Sequence, residues 1–126
     1  MIRKTLGIVA LALGVAAMGV NVAHAHGGAK PKHGGIVQMA SDLSFELVAQ
    51  PEGAMIYVED HGKPFDPAGM TGKLTSLSRK GKSVADLAVS EGRLEARGIT
   101  LSSGDKVVAV LKTATKRAIT VRFTVK

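Results

Sequence analysis

The chain has 126 residues, 17 Lys and Arg against 10 Asp and Glu, a formal charge of +7, no Cys, no Trp and a single Tyr. That length fits one domain, and the lack of cysteine excludes disulfides, thiolate metal sites and a cysteine nucleophile. With aromatic residues at 3% of the chain there is little to stack on bases, so the basic balance points to a solvated surface, weakly drawn to anionic lipid or cell wall, and away from nucleic acid.

Residues 1–25 read as a secretory signal peptide. Arg3 and Lys4 form a positive n-region, Leu6 to Val20 is an uncharged apolar run, and Ala23-His24-Ala25 is a small-x-small cleavage site. The apolar run is shorter than the roughly 20 residues of a bilayer-crossing helix, so no membrane span is expected after cleavage. Without Arg3 and Lys4 the mature chain keeps a positive balance of fifteen basic to ten acidic residues. Its location is expected to be periplasmic.

Residues 26–35, His26-Gly27-Gly28-Ala29-Lys30-Pro31-Lys32-His33-Gly34-Gly35, hold four glycines and a proline with no apolar period. They predict a flexible arm that gains order only by docking on the domain or on a ligand.

Residues 36–126 form the folded domain, in which apolar alternation is broken by turn residues at short intervals. Ile36 to Met39 predicts a short strand. Leu43, Phe45 and Leu47 share one face of a second strand, and after Pro51-Glu52-Gly53 a third puts Ile56 and Val58 on one face and Met55, Tyr57 and Glu59 on the other, a hairpin signature. Residues 61–71, with two prolines and two glycines, predict an irregular crossover. Further strands follow over 72–78, 83–89, 93–97 and 106–111. In the last, Ile119, Val121, Phe123 and Val125 alternate with Thr120, Arg122 and Thr124. Seven to eight short strands with no helix beyond the leader predict an all-β, antiparallel, immunoglobulin-like β-sandwich, with a small barrel as its competitor.

Catalysis finds little support. No serine sits in a Gly-x-Ser-x-Gly elbow, and in an extended chain Asp60 and His61 point to opposite sides, so that Asp60 does not orient its neighbour's ring. The chain is therefore read as a non-enzyme. Metal binding fits better. His26, His33 and His61 all lie in irregular segments and are free to converge. With cleavage after Ala25, the α-amine and imidazole of His26 chelate one ion together, a set suited to Cu(II), with zinc second. His33 lies across a foldable arm, and His61 with Asp60 completes a nitrogen and oxygen set. Such a site fails below about pH 6, because imidazole and the α-amine must shed protons to bind. Against this stand plain readings: a solvated His-Gly-Gly tail, a polar turn residue at His61, and Met55 either exposed or packed under the arm.

The stretches His33-Gly34-Gly35, Phe45-Glu46-Leu47-Val48 and Ile56-Tyr57-Val58-Glu59-Asp60-His61-Gly62-Lys63-Pro64 resemble small exported proteobacterial proteins and an amino-terminal segment of periplasmic adaptor subunits of heavy-metal efflux pumps of the resistance-nodulation-division type. The likeness runs more loosely through Gly69-Met70-Thr71-Gly72 and Val121 to Val125. It implies a periplasmic β-sandwich working near copper, zinc or related cations, with His33 and the Asp60-His61 pair at matching positions and an envelope efflux component as a partner. The chain is more weakly similar to periplasmic copper-resistance proteins, whose mature chain starts with a Cu(II)-binding histidine; His26 matches that position. The expected molecule is a monomer or weak dimer that carries or buffers metal. The alternative is an exported interaction module whose exposed strand edges or Tyr57 face dock an envelope partner.

Overall fold

Strict alternation of apolar and polar residues, punctuated by two-residue turns, builds nine antiparallel strands. The computed structural model describes residues 30–126; the signal-peptide reading and His26 lie outside the described residues. The strands are β1 (Ile36–Ala40), β2 (Leu43–Gln50), β3 (Gly53–Asp60), β4 (Lys63–Pro64), β5 (Thr71–Ser78), β6 (Gly81–Ser90), β7 (Arg93–Arg97), β8 (Lys106–Lys112) and β9 (Ala118–Thr124). There is no helix among the described residues, and so none long and apolar enough to cross a membrane.

Three of the turns share one physical solution. Ser41 and Asp42, His61 and Gly62, and Glu91 and Gly92 all have positive φ, and each pair joins strands paired immediately on either side. This is the mirror-image turn whose twist matches that of the flanking strands.

All nine strands belong to one sheet in the order β1-β2-β3-β7-β6-β5-β8-β9, with β4 paired to the end of β3. The hydrogen-bonding path does not divide into the two separate sheets of the expected immunoglobulin-like sandwich. Instead β1 comes alongside β9, and the sheet nearly closes on itself. The added strand is β4, inside the segment expected to be irregular. The closure follows from long-range pairing: β3 keeps its hairpin partner β2 on one edge and takes β7 on the other, through Gly53↔Arg97 to Ile56↔Leu94, a partner local alternation does not specify.

One face of every long strand is turned inward. Phe45, Leu47, Ile56, Leu74, Leu94 and Leu111 are fully buried, each contributing roughly 1.5–3 kcal/mol of burial. At one end of this core Asp105 is buried too, accepting from Ser76 Oγ at 3.3 Å and from the Ser102 amide at 2.9 Å. β2 differs from the other strands in being buried on both faces from Leu43 to Leu47. Its inner face meets the core, and its outer face is covered by the arm.

Candidate functional site

The outer side of β2 and β3 carries one row of facing residues. Val37 pairs with Glu46, and Glu46 with Tyr57. Glu46 is thus a carboxylate in the middle of a strand, where an ion left without partners would be costly. The arm supplies the partners. The amide of Lys32 donates to Glu46 Oε1 at 3.0 Å, and the amides of His33 and Gly35 donate to Oε2 at 2.8 Å each. The bend is made at Gly34, with φ at +74°, and the resulting cluster of inward-pointing amides is an anion-binding concavity. Gly35 is required where the arm meets the sheet, because a Cβ there would overlap the Leu47 carbonyl oxygen.

His33 adds its ring. Its Nδ1 lies 3.0 Å from Glu46 Oε1, and since a carboxylate only accepts, Nδ1 carries the proton and donates. The imidazole lies flat on Tyr57, ring centroids 3.6 Å apart and planes within 4°. Arg93 sits beside the same ring, 5.9 Å from its centroid, and pairs with Glu95 at 3.2 Å. Burial pushes the Glu46 carboxyl up, but the bonds from the His33 ring and from the amides of Gly35, Lys32 and His33 outweigh it and hold the group below its ordinary value.

The Lys32 side chain crosses the surface to the far turn. Its Nζ pairs with Glu59 Oε2 at 2.8 Å and donates to the Gly62 carbonyl at 3.2 Å. At that turn His61 Nδ1 lies 2.5 Å from Asp60 Oδ1. The expectation that Asp60 does not orient its neighbour is corrected here. His61 has φ at +52°, so the two residues do not alternate as in a strand, and the ring swings back onto the carboxylate.

Of the sequence-derived candidates, His33 and His61 therefore stand in the same arrangement, each with Nδ1 against a carboxylate. In the neutral ring this leaves the lone pair on Nε2, the arrangement by which a second carboxylate orients a metal-binding histidine. Both side chains reach solvent, His33 at 41% exposure and His61 at 86%. Lys32 ties the arm to the His61 turn, but among the described residues no three His, Asp or Glu side chains converge as a metal set. Asp60 is placed as the orienting partner of His61.

Sequence reasoning passed over Glu46 as a site residue, and the arm it expected to be flexible is fastened from Lys32 to Gly35. The available signal was a lone acid inside an apolar run, with a His-Gly-Gly segment nearby. A separate cleft of about 410 Å³ opens at the end of the sheet near Asp42, Asp60, Asp66 and Arg117, over Phe65 and Met70. Comparison with protein-family models, with curated proteins and with solved structures finds no match to this chain.

Proposed function

We propose that the protein is an exported, non-enzymatic metal-binding accessory that carries or buffers a borderline divalent cation, copper ahead of zinc, in heavy-metal resistance or efflux. The observation that carries this reading is the pair of carboxylate-oriented histidines, Glu46–His33 and Asp60–His61, whose Nε2 atoms suit Cu(II) or Zn(II) as cargo. His33 and His61 act as ligands, and Asp60 and Glu46 orient them. His26, with its amine freed by removal of residues 1–25, supplies the remaining nitrogen ligands from the arm. In this reading the domain is periplasmic, and the nearly closed sheet is a flattened immunoglobulin-like sandwich. An envelope efflux component receives the ion.

The test is a Cu(II) and Zn(II) titration of naturally exported protein beside His26→Ala, His33→Ala and His61→Ala. One equivalent bound tightly, and lost in at least two variants, supports the reading. Binding no better than that of a generic surface retires it. The second reading is an interaction module without metal. It is favoured by the absence of a three-ligand cluster among the described residues, and a pull-down from envelope extract that survives all three substitutions would support it.

A further inference from the structure

The charge of this molecule is divided by the sheet. Of 17 Lys and Arg and 10 Asp and Glu in the chain, residues 71–90 and 102–126, which hold β5, β6, β8 and β9, carry ten of the cations and only two of the acids, Asp86 and Asp105. Asp105 is buried and hydrogen-bonded, and Asp86 is paired to Lys73 at 2.7 Å. The half of the sheet made by β1 to β4 and β7 has the opposite balance, with five cations from Lys30 onward against eight acids.

Register places apolar side chains inside this basic half. Lys82 pairs with Leu77 and Leu77 with Lys106; Val84 pairs with Thr75, then Val108, then Arg122; Lys73 pairs with Val110. Since side chains two apart share a face, Leu77, Val84 and Val110 stand on the outer side among lysines, and each is about half exposed, at 47%, 50% and 48%. Three of the five large exposed hydrophobic residues among the described ones therefore lie on the most basic face.

We propose that the outer face of β5, β6, β8 and β9 docks on an anionic lipid bilayer. Phosphate headgroups match the lysines, and the aliphatic side chains between them reach the headgroup boundary, as on the apolar side of an interfacial element. An anionic polysaccharide would satisfy the lysines and leave Leu77, Val84 and Val110 in water; a bilayer accommodates both kinds of group. The inference is independent of metal binding, which involves the opposite half of the sheet, and it leaves the arm and His61 turned away from the lipid.

Co-sedimentation of the full chain, as the cell exports it, with phosphatidylcholine vesicles with and without phosphatidylglycerol tests this. Binding is expected only to the anionic vesicles. Lys82→Gln with Lys106→Gln should weaken it by roughly thirtyfold, at about a kcal/mol for each lysine near the surface; Lys82→Glu with Lys106→Glu, which reverses both charges, should weaken it further, and Leu77→Asn should weaken it severalfold without any change of charge. Lys63→Glu with Arg97→Glu, an equal change of net charge on the other half, should bind nearly as the parent does. All the variants are processed alike and share the same residues ahead of Lys30, so any contribution from that segment cancels. Should the double glutamate variant melt early, Lys82→Gln with Lys106→Gln replaces it. The proposal is overturned by absence of binding to anionic vesicles, by equal loss in the control pair, by retention in both lysine pairs, or by binding only to an anionic polysaccharide or to a second copy of the chain.

Discussion

Glu46 and His33 are thirteen residues apart in sequence, and one carboxylate takes both the backbone amide and the ring Nδ1 of that histidine. The side chain of a strand interior thereby fixes the course, the tautomer and the exposure of a residue in a segment with no apolar period of its own.

Replacing the carboxylate isolates this latch. Glu46→Gln turns one acceptor oxygen into a donor facing N–H groups, and because Glu46 is buried the expected loss is about 1–2 kcal/mol of stability. The arm should also open to proteases. Trypsin cutting at Lys32 should accelerate at least tenfold, ahead of global unfolding. Unchanged cutting would show that the arm is held by something other than Glu46.

The latch should be sensitive to acid, in a defined direction. Folding lowers the Glu46 pKa, so the docked arm binds fewer protons than the undocked one. Its stabilisation is complete above the ordinary carboxyl value of 4.5 and disappears as pH falls through the lower value of the docked state. In NMR the amide signals of Lys32, His33 and Gly35 should titrate together, with a midpoint below 4.5, and Glu46→Gln should abolish that titration. A common midpoint above the ordinary value would reverse the assignment.

Gly35→Ala tests the close approach. The new methyl meets the Leu47 carbonyl oxygen, which is backbone and cannot rotate away. Steric insertion of this kind costs about 1–3 kcal/mol, which in a domain of this size lowers Tm by several degrees for each kcal/mol. A melting temperature equal to that of the parent would mean that β1 shifts freely.

The single tyrosine makes the metal proposal optically testable. The chain has one Tyr and no Trp, and that tyrosine, Tyr57, stacks on His33 at 3.6 Å. Cu(II), with an open d shell, should quench Tyr57 emission on binding to His33, and closed-shell Zn(II) should not. Quenching should vanish in His33→Ala and survive Glu59→Gln. Copper bound tightly with Tyr57 emission unchanged would remove His33 from the ligand set.

Strand faces were legible in the sequence because a half-buried strand must alternate. Ile119, Val121 and Phe123 are buried, as their spacing requires. The His61-Gly62 turn was legible as a break, since glycine tolerates the second left-handed position. Two features were not. The latch is made of backbone amides, which every residue has, so the arm showed no pattern; only Glu46 and His33 carry side-chain information, and they are distant in sequence. The joining of β3 to β7 was equally hidden, because alternation states which side chains turn inward and says nothing about which edge finds which.

β1 is bonded only to β2, and β9 only to β8, although the two lie side by side. The first and last strands therefore meet as a lap joint and not as a weld. Their meeting spans nearly the whole domain, the kind of contact that forms slowly, so closure is the step least able to occur until the carboxy-terminal strand is in place. Once formed, the joint can part without disturbing the ladder on either side. Thermal opening should then begin there, parting β1 from β9 while β1 stays laddered to β2 and the segment bearing His33 stays latched to Glu46.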